Sequence, residues 1–267
     1  MKYLYSYCIF IALTVSIASC NNDDQTISPD EKGTLTLHFD NVVGNDDLEL
    51  NTGTYTNSSD ESFTVTTLRY YISNIKFKTT SNIEFVVPQA DSYYLVDESD
   101  EESLDIQLEN IPADDYKEVT FTIGVDSLKS VSNISERTGV LDPTTSDMYW
   151  AWNSGYIFFK MEGTSPAGMD DNFYYHIGGY GGYSTESKTI NNLKKITLSF
   201  GDDKATVRSN IEPEAHFYVD ILKVFDGGTQ LSIEANPMVM FSDYSVNIAS
   251  NYAEMIEYGH VHNEPKE

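Results

Sequence analysis

The chain has 267 residues, with 16 Lys and Arg against 42 Asp and Glu, and a formal net charge of −26. So large an acidic excess argues against nucleic acid and anionic membrane surfaces as partners, because every phosphate contact needs a positive charge to replace its counterions. It favours cations and basic partners, although solubility alone accounts for much of it.

Lys2, an apolar run from Ile9 to Ile17, and small residues up to Ser19 predict a signal peptide over residues 1–19, too short to span a bilayer. Ile17-Ala18-Ser19-Cys20 has the form of a bacterial lipobox, with Cys20 as the lipidated first residue of the mature protein. Cys8 leaves with the signal, so no internal disulfide is available and stability has to come from a core. Residues 20–33 read as the lipidated terminus and an acidic tether, since Asn21 to Glu31 has no apolar period. An outer-membrane lipoprotein, on the periplasmic face or at the cell surface, is the expected location.

From Thr34 the pattern alternates: Leu35, Leu37 and Phe39 on one face, Thr34, Thr36 and His38 on the other. Turns at Gly44–Asp47 and Asn57–Asp60 precede a long β-rich run, Phe63 to Lys78, expected to bend near Ser73-Asn74. Short strands are predicted at Ile83–Val87, Tyr93–Val96, Leu104–Leu108 and Glu118–Val125, the last two joined by a hairpin-like Asn110–Asp115 turn. Ser127 to Ser146 is a polar excursion leading into Asp147–Gly163, which carries both tryptophans, Trp150 and Trp152. Their spacing puts both indoles on one side of an extended backbone.

Strands follow at Tyr156–Met161, Phe173–Ile177, Leu193–Phe200 and Ala215–Leu222, with His216, Tyr218 and Asp220 facing away from Phe217, Val219 and Ile221. Gly178–Gly182 is read as backbone freedom beside His176; no helix or lysine follows as a phosphate loop would need. Helical spacing of Ile248, Tyr252, Met255 and Ile256 predicts one helix within Ser242–Tyr258, ending near Gly259. The sum is an all-β fold, a single β-sandwich domain over residues 34–263 with one short C-terminal helix.

The chemistry rests on five histidines: His38, His176, His216, His260 and His262. Imidazole suits copper, zinc, iron and nickel, and the mature chain offers no thiol cluster to compete. A methionine such as Met161, Met169, Met238 or Met240 beside them would favour copper. Acidic groups at Asp46-Asp47, Asp97–Glu102, Asp114-Asp115, Asp170-Asp171 and Asp202-Asp203 offer calcium an alternative without the spacing of a calcium hand. No nucleophile elbow is present, carboxylate pairs are too common here to signal a glycosidase, and no enzymatic activity is expected.

Ten segments in order, among them LTLHFDNVVG (Leu35–Gly44), LRYYISNIKF (Leu68–Phe77), NIPADDY (Asn110–Tyr116), MYWAWNSGYIFFKMEG (Met148–Gly163), FYYHIGG (Phe173–Gly179), AHFYVD (Ala215–Asp220) and MIEYGHVHN (Met255–Asn263), resemble the MbnP-like family of copper-binding proteins. That resemblance implies copper, as Cu(I), held by histidines together with a tryptophan oxidised to kynurenine by a partner dihaem peroxidase of the MbnH type. Opening the indole gives a side chain able to coordinate where intact indole nitrogen, a donor only, is not. It implies Trp150 or Trp152 as the modified residue, and His38, His176 and His216 as first-choice ligands ahead of His262 and His260. Asp220, on the face of His216, is the expected carboxylate orienting a ring. The alternative reading is a surface glycan-binding or adhesion module, since the 19 tyrosines offer aromatic platforms for sugar rings.

Overall fold

The computed structural model describes residue 28 and residues 30–152, 155–182 and 189–266. The expected signal peptide, Cys20 and most of the tether lie outside the described residues.

Ten longer strands build the fold: β1 (Lys32–Val43), β2 (Ser62–Thr79), β3 (Tyr93–Asp97), β4 (Asp105–Pro112), β5 (Asp114–Ile123), β6 (Gly155–Met169), β7 (Asn172–Gly178), β8 (Lys194–Ser199), β9 (Ile211–Asp220) and β10 (Ile256–Pro265). They form two sheets. In the five-stranded one, β10 lies beside β9, β9 beside β1, and both β4 and the short strand Asp46–Asp47 pair with the other edge of β1. The eleven-stranded sheet runs β8-β5-β2-β6-β7 and ends on Met238–Val239, with further short strands attached to β2, β5 and β6. Its spine, β2, bends where Asn74 has φ +54° and the register with β5 shifts between Ser73 and Lys76.

The inner faces carry the predicted alternation. Leu35, Leu37 and Phe39 of β1 and Ala215, Phe217 and Val219 of β9 are fully buried, and Phe39 packs edge-on to Tyr70 and Phe121 of the other sheet. Fully burying a side chain of this size stabilises by about 1.5–3 kcal/mol, so this interface sets which face of each strand turns inward. The excursion 127–152 covers the outside of the larger sheet: Tyr71, Trp150, Tyr156, Ile157 and Phe158 form a second cluster beneath it. The Tyr71 and Tyr156 hydroxyls donate to the Val140 and Leu141 carbonyls, at 2.8 and 2.6 Å, and tie the excursion down.

Two expectations are corrected. The Asn110–Asp115 turn is no hairpin, because β4 pairs with β1 whereas β5 pairs with β2 and β8, so it carries the chain from one sheet to the other. Ile106 and Leu108 on one side and Val119 and Phe121 on the other all bury into the one sandwich core, which sets the two strands in facing sheets. The helix, for its part, spans only Ser245–Tyr252, and the chain is strand again from Ile256. Ile256 and Tyr258 find a free edge on β9, and that pairing outcompetes the local helical spacing.

A candidate metal centre of four imidazoles

In β1 the residues between the buried leucines and Phe39 point away from the core, and His38 is one of them. His216 has the same relation to Ala215 and Phe217 in β9. The parallel register sets His38 directly beside His216, and the antiparallel register of β9 with β10 sets His216 beside His260. Three imidazoles thus stand in one row across three strands. Their ring centroids are 4.8 Å and 4.4 Å apart, which is the spacing of neighbouring strands. His262, two residues further along β10, shares the face and lies 5.1 Å from His216 and 4.6 Å from His260 between ring centroids.

Gly259 makes this phase possible. Ile256, Tyr258 and Val261 pack toward the core, a sequence that strict alternation cannot deliver, since Tyr258 and Val261 are an odd number of residues apart. The strand absorbs the mismatch in a bulge: Tyr258 pairs with Phe217 and His260 with His216, leaving Gly259 as the extra residue. A side chain there would press on Tyr218, 3.0 Å from its Cβ, and on the His216 carbonyl at 3.2 Å. The helix end that the sequence suggested at Gly259 is therefore a bulge that turns His260 and His262 outward.

Carboxylates lie against two of the rings. Asp105 stands opposite His38 on β4, and its Oδ1 lies 2.6 Å from Nδ1, which leaves Nε2 of that ring for another partner. Glu214 Oε1 is 2.6 Å from His216 Nε2, but the angle is wrong for a hydrogen bond, and this buried nitrogen has no hydrogen-bond partner. The Nε2 atoms of His260 and His262 are 2.9 Å apart. Two nitrogens on one ion, each about 2.0–2.1 Å from it, stand roughly 3 Å apart, so this pair already has the separation of shared ligands.

Among the described residues, His216, His260 and His262 are the group whose ligand atoms all lie within 4.8 Å of one another. Burial pushes the His216 imidazole below the ordinary histidine range; Glu214 pulls the other way, and the three neighbouring imidazoles add to the depression. The neutral ring is the form that ligates a metal.

His176 goes elsewhere. It stands on β7 opposite Lys160 of β6, with Nε2 at 2.7 Å from Glu162 Oε1. Lys160 in turn pairs with Asp147 at 2.6 Å, and Asp147 also takes Arg69 Nη1 at 2.6 Å. Asp97 lies 2.8 Å from Arg69 Nε, again at an angle short of a hydrogen bond. Burial holds the His176 imidazole below its usual range, with Glu162 opposing. Asp220 is likewise no orienting group for His216: its Oδ1 accepts from the Gly44 and Leu222 amides, four residues or about 13 Å along the strand.

Trp150 belongs to the second hydrophobic cluster, on the outside of the larger sheet, and Trp152 lies against it. Trp150 is 5% exposed and Trp152 67%. Their rings meet at 5.4 Å, and Trp150 fills the space above Gly178, where a Cβ would come within 2.7 Å of the indole. Gly178 is thus a seat for Trp150, whereas Gly179, Gly181 and Gly182 do use positive φ. The two outer faces are opposite sides of the sandwich, so the structure does not bring an indole into the imidazole cluster, and among the described residues no ring contact joins them. The candidate methionines are no closer: Met161 is buried in the main core, Met169 ends β6, Met238 edges the larger sheet, and Met240 packs on the second cluster.

Asp105, Glu214 and the bulge at Gly259 escaped sequence reasoning. Asp105 is 67 residues from His38, and only strand pairing makes them neighbours. Glu214 carried a usable signal, since an alternating strand puts it on the face of His216.

No curated protein matches the chain. Its fold is similar to that of "MbnP from Methylosinus trichosporium", with a TM-score of 0.51 and 14% identity over 80% of this chain and 82% of that one. The MbnP family model matches residues 32–241, a span that includes His38, His176, His216 and both tryptophans and stops short of His260 and His262. The chain belongs to the MbnP family.

Proposed function

We propose that this protein binds copper outside the cytoplasm, for acquisition or handling, on the outer face of its five-stranded sheet. One observation carries the reading: three strands bring His38, His216 and His260 into one row, with His262 beside them and a buried ring nitrogen left without a hydrogen bond. The donor set is all nitrogen, which suits copper. In this reading His216, His260 and His262 would hold the ion, His38 would complete the set, and Asp105 would orient His38.

The remaining parts of the proposal rest on the sequence and the family. Cys20 would anchor the protein by lipid to the outer membrane, at the periplasmic face or the cell surface. A dihaem peroxidase partner of the MbnH type would oxidise a tryptophan to kynurenine. Trp152 is our choice, supported by its exposure, since an external oxidant reaches it before the buried Trp150.

The test is stoichiometry. The metal-free mature protein is loaded with copper, desalted and subjected to elemental analysis, beside a His260→Ala/His262→Ala variant. Close to one retained equivalent is expected for the wild type and far less for the variant. A wild type that retains none would end the copper reading. Peptide mapping after exposure to the peroxidase should find the oxidised indole at Trp152.

A further inference from the structure

Resting on the copper reading above, we infer that the cluster is a site for a divalent cation, Cu(II) or Zn(II), held by imidazoles alone and independent of the tryptophan motif. Three observations point there. The first is the donor set: soft sulfur ligands are what select Cu(I), and the four candidate methionines lie in the main core, on the larger sheet or against the second hydrophobic cluster, none of them among the imidazoles. The second is placement. Both indoles stand on the opposite outer face, where a kynurenine could not share an ion with His216.

The third is charge. The outer face of the smaller sheet flanks the imidazoles with carboxylates: Asp105 and Glu214 at 2.6 Å from ring nitrogens, and Asp40 two residues along β1 from His38. Coulomb attraction scales with the ion's charge, so carboxylates just outside a neutral ligand set favour a dication over a monocation. Asp105 on Nδ1 of His38 also matches the carboxylate–imidazole pairing that fixes a ring for ligation through its other nitrogen.

The experiment titrates the metal-free mature protein with Zn(II), with Cu(II), and with Cu(I) under anaerobic chelator competition, and records the paramagnetic resonance spectrum of the Cu(II) form. Wild type, Trp150→Phe/Trp152→Phe and His38→Ala are compared, each first checked for an unchanged thermal midpoint without metal. One equivalent of Zn(II) or Cu(II) is expected, with nitrogen hyperfine structure in the Cu(II) spectrum, unchanged in the double tryptophan variant. His38→Ala should bind about tenfold more weakly and lose nitrogen coupling. Tight Cu(I) with no divalent binding, or loss of binding in the tryptophan variant, would overturn this inference while leaving the copper reading standing. Absence of binding by every ion would instead remove the copper reading itself.

Discussion

Two rows of polar side chains cross this sandwich, one on the outside of each sheet, and their difference shows what makes a row into a site. On the larger sheet Asp97, Arg69, Lys160 and His176 sit side by side across β3, β2, β6 and β7. Opposite charges alternate or are supplied from nearby: Asp147 answers both Arg69 and Lys160, and Glu162 answers His176. On the smaller sheet Asp105, His38, His216 and His260 occupy the equivalent positions across β4, β1, β9 and β10. There three of the neighbours are alike: Asp105 takes His38, Glu214 approaches His216 without a hydrogen bond, and His260 has His262 beside it. A row whose members satisfy one another holds a segment in place, here the one leading to Trp150; a row of imidazoles offers ring nitrogens to a cation.

The largest effect expected from this contrast is on metal affinity. Replacing the central His216 by Ala should weaken binding by more than about 100-fold, beyond the roughly 10–100-fold loss typical of removing an orienting partner. His176→Ala should leave affinity unchanged, and calorimetric titration of the two variants side by side decides whether the rows differ as described. A His176 variant that lost the metal would erase the distinction.

A smaller effect should appear in stability, and on the other row. Lys160 is 8% exposed, and Asp147→Asn removes its nearest countercharge together with that of Arg69. Unpairing a buried cation is costly, but Asp147 itself is about half exposed, so a loss of about 1–2 kcal/mol is expected in denaturant unfolding, with metal affinity untouched. Quenching of the tryptophan fluorescence by a neutral solute should rise at the same time, as the segment that Asp147 pins loosens.

The smallest effect is in pH dependence. The folded state holds the His176 imidazole below its ordinary value, so the unfolded chain takes up that proton more readily. Stability from this group is therefore complete above the unfolded value of about 6.5 and declines as pH falls through it. His176→Asn should flatten the thermal midpoint between about pH 7 and pH 5 relative to wild type. An unchanged slope would mean that the His176–Glu162 pair titrates as it would in water.

How much of this was legible beforehand depended on the range of the interaction. Alternation alone placed His38 opposite Leu37 and Phe39, and His216 opposite Phe217, and the spacing of His260 and His262 put both on one side; each of these is a property of a few consecutive residues. The same period named the β-sandwich and most of its strands, because burying apolar faces in pairs leaves few other ways to fold such a pattern. The chain order said nothing of which strands would be neighbours. It could not say that β1 lies parallel to β9 with His38 beside His216, that Gly259 is a bulge and no helix end, or that His176 and the indoles belong to the far side of the molecule. A local period decides which way a side chain points; its company is decided by contacts up to 178 residues apart, from His38 to His216, and those exist only once the two sheets have closed on their shared core.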